Sequence, residues 1–443
     1  MKKLIFCVLS VLLFAPALRA ESAGEILTFS ANPEKGFHWG YALYLPQSMD
    51  TSKKLPILFT MNDSGVSENM QEAEQRTLER FSTNQHEKQI ADGVGVPLLM
   101  PIIQRVRGEI DSHEWNRAVF VMQEGPLKRL DLQVFAMLQD AKKQLKKRGI
   151  STTKKFLVAG FSSAGGFGWR WTMLHPEKVL AAAIGGELYP MLPLETWKST
   201  RLIYPVGIAD LEEYTGKKFN KKEWSKVPIF LTNGAQDYND PLPYPDCFGN
   251  EERAISKEVL GSGTCQERWQ QAQEILLPLA PNVQIHTYPN MEHETIWQDE
   301  IEFLKKHIHG GPLQAIAPTD TSEYPSILPV RVTALYFGQD VPLTHDREYL
   351  SDTDLLLQTR KKIPFWVRYE QTCKLDIENN NHIVLTDIPC RGTFRESDHT
   401  YLQVLFSQDQ IKQLRSYKDR TFSVRSHHPE ILEIPENLTF TVR

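Results

Sequence analysis

Three polar residues, far apart along the chain, have the types needed for nucleophilic catalysis. Ser162 lies in the run GFSSAGG at 160–166, and Asp237 and His293 follow it in that order. A serine hydroxyl is a weak nucleophile near neutral pH, so it needs a histidine to accept its proton and an acid to orient the imidazole. These residues predict acyl transfer, with Ser162 as nucleophile, His293 as general base and acid, and Asp237 as the orienting group.

Acyl transfer also requires fixed hydrogen-bond donors for the oxyanion that forms on the carbonyl oxygen. The backbone N–H of Ser163, the residue after the nucleophile, is predicted to be the first donor. The second is expected from Asp63 and Ser64, in the loop that follows an apolar run at 55–61.

Two of these roles have competing assignments. Ser163 occupies the same turn as Ser162 and is the alternative nucleophile. Asp240 lies in the same polar turn as Asp237 and is the alternative acid. Without catalysis, these residues would be a turn serine, a turn-capping aspartate and a histidine at a helix entrance.

The surrounding pattern predicts how such residues are brought together. Continuous apolar runs indicate strands buried on both faces, as in a parallel sheet. Such runs lie at 55–61, 96–101, 156–159, 179–184, 227–232 and 283–288, after alternating segments at 26–29 and 39–46. Helical periodicity appears at 130–145, 269–279 and 296–307. The fold class is therefore α/β, with a doubly wound, mostly parallel sheet whose strand ends carry the three residues to one crevice.

The character of the chain changes after residue 312. Residues 313–326 are rich in Pro, Thr, Asp and Ser and are predicted to be a linker between domains at 21–312 and 327–443. Short alternating β-branched segments follow, at 330–334, 365–369, 382–386, 401–406, 421–424 and 438–442, with one helical pattern at 408–414. They predict a smaller C-terminal all-β, sandwich-like domain.

The first 20 residues are typical of a secretory signal peptide. Lys2 and Lys3 precede an apolar stretch, and small residues near Ala20 offer cleavage sites. That stretch is too short for a membrane span in the mature chain, so a periplasmic or secreted protein is expected. The formal net charge of −5, without a basic stripe, argues against a nucleic-acid partner.

Cysteine usage fits export. Four cysteines follow the signal peptide, and an even number in an exported protein predicts two disulfides. Three connectivities are open, and proximity with the domain division favours Cys247–Cys265 and Cys373–Cys390. Since no Cys-x-x-Cys occurs, zinc binding and dithiol redox chemistry are poorly supported, and the expected acyl transfer needs no metal or organic cofactor.

Two long segments, at 187–226 and 240–263, carry many aromatic residues. They predict either a substrate-binding cap over the crevice or a set of small local cores, and both interpretations stay open.

Several motifs together resemble the α/β-hydrolase superfamily over roughly residues 25–310: GFSSAGG at 160–166, LHPEKV at 174–179, NGAQD at 233–237 and PNMEH at 289–293. They are most similar to secreted bacterial esterase-like members, including the polyhydroxybutyrate-depolymerase and feruloyl-esterase-like group. The resemblance favours Ser162 over Ser163 as nucleophile. Ala164 in a usual glycine place, and a loop at 62–65 without the His-Gly pair, depart from the pattern.

We therefore expect an exported serine hydrolase of the carboxylic-ester class (EC 3.1.1) that forms an acyl-enzyme, with an ester substrate of undefined size. The C-terminal domain is expected to bind a polymer or a cell-surface component. Two alternatives remain: a peptidase or amide hydrolase with the same triad, and a catalytically inactive hydrolase-fold binding protein.

Overall fold

The computed structural model describes residues 24–62, 65–82, 85–106, 110–324, 330–337, 355–359, 374–380, 382–396, 399–417, 420–429 and 432–442. The predicted signal peptide, together with Asp63, Ser64 and Cys373, lies outside these residues. Within the described part of the chain, no helix is long and apolar enough to cross a bilayer.

The strands described in the N-terminal unit are β1 (Glu25–Phe29), β2 (Gly40–Leu45), β3 (Leu58–Phe59), β4 (Leu98–Ile102), β5 (Phe156–Phe161), β6 (Val179–Gly185), β7 (Thr196–Trp197), β8 (Thr200–Arg201), β9 (Ile229–Gly234) and β10 (Val283–Tyr288). Strands β7 and β8 form a small hairpin, and the others form an eight-stranded sheet in the order β1-β2-β4-β3-β5-β6-β9-β10. The β1–β2 and β2–β4 pairs are antiparallel, and the remaining pairs are parallel. The predicted mostly parallel sheet is thus confirmed.

The helices of this unit are α1 (Met70–Ser82), α2 (His86–Val94), α3 (Arg117–Phe120), α4 (Leu130–Lys147), α5 (Ser163–Leu174), α6 (Leu211–Thr215), α7 (Lys221–Trp224), α8 (Asn250–Leu260), α9 (Cys265–Leu276) and α10 (Trp297–His307). Strand β5 shows why its sequence is continuously apolar. Phe156 and Val158 belong to one buried cluster, while Leu157 and Ala159 belong to another. Successive side chains point to opposite faces of a sheet, so both faces of β5 are covered.

The C-terminal unit is rich in antiparallel strands, as predicted: β11 (Val330–Phe337), β12 (Leu355–Thr359), β13 (Lys374–Asn379), β14 (His382–Glu396), β15 (His399–Val404), β16 (Thr421–Ser426), β17 (Leu432–Glu433) and β18 (Thr439–Thr441), with helix α11 (Gln408–Arg415). Strand β14 pairs first with β13 and then, through its second half, with β15. A separate apolar core fills this unit. The strand predicted at 365–369 lies outside the described residues.

Much of the predicted linker is attached to the N-terminal unit. The Gln284 side chain donates to Ile316 O at 2.9 Å and accepts from Ile316 N at 3.0 Å. Asp299 accepts from both the amide and the hydroxyl of Thr319 at 2.7 Å. This segment therefore lies against β10 and α10.

The aromatic residues of the 187–226 segment form local core. Tyr204 and Trp224 are fully buried. The Tyr204 ring stacks on Phe120 at 3.8 Å, and its hydroxyl donates to Trp115 O. These rings stabilise the segment from within, which favours the local-core interpretation.

The predicted Cys247–Cys265 disulfide is wrong, because both residues are buried free thiols. Each sulfur faces a different part of the structure. Cys247 lies among Asp111 and Glu114, with the ligand-type atoms of all three within 4.8 Å of one another. Cys265 begins α9, and its Sγ lies 3.5 Å from Asp237 O. The Cys373–Cys390 pair lies outside what the structure describes and stays a prediction.

Candidate active site

The turn at Ser162 is a strained connection between β5 and α5. Ser162 has φ +58° and ψ −129°, a conformation that residues other than glycine rarely adopt. Its amide donates to Gly185 O at 3.0 Å, and its carbonyl accepts from Gly166 N at 2.9 Å. These bonds fix the serine at the carboxyl end of β5, as in a nucleophile elbow.

Two glycines permit this turn. A Cβ at Gly160 would lie 2.3 Å from Ala164 O, and one at Gly165 would lie 2.5 Å from Gly185 O. Both contacts are with backbone, so neither neighbour can move away cheaply. Ala164 is also buried, and its methyl group is accommodated at that position. The close approach of α5 to β6 therefore falls on Gly165, one residue later than in the usual motif.

The structure brings Ser162, His293 and Asp237 into one hydrogen-bonded chain. His293 Nε2 lies 2.9 Å from Ser162 Oγ, and His293 Nδ1 lies 2.8 Å from Asp237 Oδ2. Asp237 is 1% exposed and His293 is 9% exposed. Ser162 follows β5, Asp237 follows β9 and His293 follows β10. The carboxyl ends of these parallel strands lie at the same edge of the sheet.

The competing assignments occupy other positions. Asp240 accepts from Tyr189 Oη at 2.6 Å and pairs with Arg268 at 2.5 Å, in a fully buried cluster. Ser163 Oγ lies 3.5 Å from Asp111 Oδ2. The imidazole thus contacts Ser162 and Asp237, while Asp240 and the Ser163 hydroxyl have different partners.

Two further residues hold the acid and the imidazole, and sequence reasoning missed both. Asn239 N donates to Asp237 Oδ1 at 3.0 Å, and Asn239 Nδ2 lies 3.1 Å from His293 Nε2. Gln266, on α9, donates to Gly234 O at 3.2 Å and also to Asp237 O. Asn239 falls in the polar turn already singled out, whereas nothing in the local sequence marks Gln266.

One of the predicted oxyanion donors is described. Ser163 is the first residue of α5, so its N–H belongs to the helix terminus, where amides lack an intrahelical acceptor and the helix dipole favours negative charge. Asp63 and Ser64 lie outside the described residues. Their neighbour Gly65, with φ +73°, lines the cavity in front of Ser162.

A cavity of about 850 Å³ opens in front of Ser162 and His293. Its wall carries many charged side chains, namely Arg76, Arg80, Arg105, Asp111, Glu114 and Glu187. The three arginines each have a carboxylate partner: Arg76 pairs with Glu72, Arg80 with Glu87, and Arg105 with both Asp111 and Asp246. The cavity is therefore both large and polar.

Two carboxylates and one guanidinium lie buried at one side of this cavity. Arg170, on α5, donates to Glu114 Oε1 at 2.8 Å and to Glu114 O at 2.6 Å. A Cβ at Gly166 would lie 2.6 Å from Glu187 Oε2 and 3.0 Å from Glu114 Cγ, so both acids flank this glycine. Burial raises the pKa of Glu187 to about 8 and also raises the pKa of Glu114, and Arg170 opposes both shifts. Sequence reasoning missed all three residues because they lie in three separate segments.

Asp111, Glu114 and Cys247 have the residue types of a metal site. The two carboxylates are already bound by cations, Asp111 by Arg105 at 3.0 Å and Glu114 by Arg170. We therefore interpret the three residues as part of the charged cavity wall.

Comparison with solved structures gives partial similarities at low sequence identity. A poly(aspartic acid) hydrolase from Sphingomonas sp. KT-1 is 13% identical, with a TM-score of 0.42 over 65% of this chain and 98% of that one. A poly(3-hydroxybutyrate) depolymerase from Bordetella parapertussis is 13% identical, with a TM-score of 0.43 over 64% and 88%. A ferulic acid esterase from Anaeromyces mucronatus is 11% identical, with a TM-score of 0.37 over 66% and 92%.

No family model matches the sequence, and no curated protein matches it either. The class of the N-terminal unit follows from its own features. The strand order, the antiparallel direction of β2 and the serine on a strained strand–helix turn are those of the α/β-hydrolase fold.

Proposed function

We propose that this protein is a serine hydrolase that cleaves carboxylic esters. The observation that carries the proposal is the hydrogen-bonded chain from Asp237 through His293 to Ser162, with the serine at φ +58° facing the cavity. A turn serine with no catalytic role needs neither an aligned imidazole nor a strained backbone.

In the proposed reaction, Ser162 Oγ attacks the acyl carbon while His293 Nε2 accepts the hydroxyl proton. The negative charge passes to the carbonyl oxygen, which the Ser163 amide and a donor from the 62–65 loop stabilise. His293 returns the proton to the departing alcohol, which leaves an acyl-enzyme. Water then attacks the acyl-enzyme with the same proton transfers and releases the acid. Asp237 holds the imidazole in the tautomer that keeps Nε2 free to accept a proton.

Labelling with a fluorophosphonate tests this proposal directly. Attack of the serine oxygen on phosphorus expels fluoride and leaves a stable adduct, which peptide mass spectrometry can assign to Ser162 or to Ser163. We expect an adduct on Ser162 in the folded wild type and hydrolysis of 4-nitrophenyl butyrate that Ser162→Ala reduces about 10⁴-fold. Ser163→Ala is the matched control and should retain activity within about tenfold, because its amide remains.

No adduct and no ester turnover in folded protein would contradict the proposal and support a binding protein. Hydrolysis of peptide substrates but not of esters would support an amide hydrolase instead.

The proposal includes export, with cleavage of a signal peptide near residue 20, and a ligand-binding role for the C-terminal unit. Edman sequencing of protein from the periplasm or the medium tests the first. An unprocessed cytoplasmic chain would contradict it.

A further inference from the structure

The Glu114–Arg170–Glu187 cluster contains two acids and one base, so it carries an excess negative charge when both acids are ionised. Arg170 is fully buried and bonds bidentately to Glu114. Glu187 is 5% exposed, and its Oε1 accepts from Tyr189 N at 3.1 Å. Among the described residues, no donor reaches Glu187 Oε2, although Glu187 lines the cavity in front of Ser162. A carboxylate that lines a cavity and accepts a single hydrogen bond has acceptor capacity left for a donor from a ligand.

Glu187 lies next to the candidate active site. It follows Gly186, where a Cβ would lie 2.9 Å from Ser162 N. Its carboxylate occupies the space left by the missing side chain of Gly166, in the first turn after Ser162. The second glycine of the motif thus leaves room for an acid beside the proposed nucleophile.

The described arginines that line the cavity pair with other carboxylates. Arg105 is bound between Asp111 and Asp246, at 3.0 and 3.1 Å. Arg80 is bound to Glu87, and Arg76 to Glu72. Among the described residues, Asp111 and Asp246 pair with Arg105, Glu114 pairs with Arg170, and Glu187 has no salt bridge. A cationic ligand would complete the charge balance, and its field would be strong in this buried site.

We propose that Glu187, with Glu114 beside it, binds a protonated primary amine of the substrate, so that this hydrolase prefers esters that carry an ammonium group. This inference rests on the proposed hydrolase function. An ammonium supplies three N–H donors, of which one can reach the open Glu187 Oε2. Glu187 is then a specificity-determining residue, and His293 and Ser162 act on amine-bearing and neutral esters alike.

Matched substrates test the subsite on each side of the scissile bond. On the acyl side, the 4-nitrophenyl esters of Nα-acetyl-lysine and Nα-acetylnorleucine differ at the ammonium group. On the alcohol side, 6-aminohexyl butyrate and hexyl butyrate differ in the same way. We expect wild type to show a kcat/KM at least about tenfold higher for the amine-bearing member on one side.

Glu187→Gln separates the subsite from the catalytic residues. It keeps the oxygen that accepts from Tyr189 N but removes the charge, so the amine preference, measured as the ratio of the two kcat/KM values, should fall to about onefold. Glu223→Gln changes a partly exposed acid of α7 that pairs with Lys226, and it is the control that should leave the preference intact.

The pH dependence of the preference gives a second readout. The described groups facing Glu187 are Glu114, Arg170, the Tyr189 amide and the Tyr204 hydroxyl, with Asp111, Arg105 and Cys247 next to Glu114. As pH rises from 6 to 9, Glu187 ionises while an alkylammonium, with a pKa of about 10.4, stays charged. The ratio of the two kcat/KM values should therefore rise with pH in wild type and stay flat in Glu187→Gln, since any effect on His293 cancels in the ratio.

Equal turnover of both members of each pair, or loss of both activities in Glu187→Gln, would overturn the subsite and leave the hydrolase intact. If neither ester is cleaved and no fluorophosphonate adduct forms, the proposed function fails. Calorimetry with hexylammonium chloride then tests the subsite by itself. Binding that Glu187→Gln abolishes supports it, and absence of binding refutes it.

Discussion

At the residue scale, two aspartates three positions apart have different environments. Asp237 orients His293, whereas Asp240 joins Tyr189 to Arg268 in a cluster where the ion pair is about 1% exposed on each side. A buried pair that loses one partner leaves an uncompensated charge, while the loss of an orienting carboxylate affects the reaction itself.

The two aspartates should therefore respond differently to the same substitution. We expect Asp237→Asn to lower kcat by about 10³–10⁴-fold with little change in the unfolding midpoint. Asp240→Asn should reduce the free energy of unfolding by about 3 kcal/mol and leave kcat of the folded protein within about tenfold. Urea denaturation and ester kinetics on the same preparations distinguish them, and the reverse pattern would make Asp240 the orienting acid.

At the element scale, the contact between α5 and β6 determines where the serine points. Gly165 faces the backbone oxygen of Gly185, while Gly168, one turn later, faces the ends of the Ile184 and Val158 side chains at 3.0 and 3.1 Å. Side-chain ends can move by a few tenths of an ångström, but a strand carbonyl in a ladder cannot.

Alanine at these two glycines tests the packing. Alanine is favoured over glycine in a helix by about 1 kcal/mol, which offsets a mild contact. We expect Gly168→Ala to be within about 1 kcal/mol of wild type, and Gly165→Ala to lose at least about 2 kcal/mol together with most of the activity. Equal stability of the two variants in thermal unfolding would show that the approach of α5 to β6 does not constrain this turn.

At the scale of the whole molecule, buried acids outside the site link stability to pH. Glu300, on α10, is fully buried and accepts from Thr295 Oγ1 at 2.5 Å, and its Oε2 has no hydrogen-bond partner in the described structure. Burial raises its pKa to about 8, and the charges of Glu87 and Asp299 contribute to the rise. The folded protein thus keeps this proton to about pH 8, while the unfolded chain loses it above pH 4.5. Because the unfolded state binds fewer protons in that window, stability falls as pH rises through it.

Glu300→Gln removes this titration. The free energy of unfolding of Glu300→Gln, relative to wild type, should rise on the order of 4 kcal/mol between pH 5 and pH 9. Any constant effect of the buried amide does not change this pH dependence. Denaturant titrations at both pH values measure the change. Glu302→Gln, at an exposed neighbour that pairs with Lys306, is the control that should show no such trend. A flat difference for Glu300→Gln would mean that the folded state ionises Glu300 normally.

The segment after residue 312 was predicted as a linker, yet its described part is tied to the N-terminal unit through Gln284, Asp299 and Pro289. Ile316 is buried and Thr321 is fully buried. A protease therefore needs a local opening to reach the backbone here.

Limited proteolysis with thermolysin tests this attachment. Cleavage before Ile316 should be slow in wild type and at least about tenfold faster in Gln284→Ala, which loses two hydrogen bonds to that residue's backbone. Gln270→Ala, on the exposed side of α9, is the control. Rapid cleavage before Ile316 in wild type would show that the segment behaves as a free linker.

The sequence by itself determined the α/β pattern, the all-β character of the C-terminal unit and the chemical types at Ser162, Asp237 and His293. Continuous apolar runs can only be buried between two layers, and the turn motifs fall at strand ends. Only the tertiary structure decided which aspartate contacts the imidazole, because Asp237 and Asp240 lie in the same turn and their side chains point to different partners. It also decided that Cys247 and Cys265 face different neighbours, and that Glu114, Arg170 and Glu187 meet beside Gly166. These are contacts between segments distant along the chain, and no local pattern of residues records them.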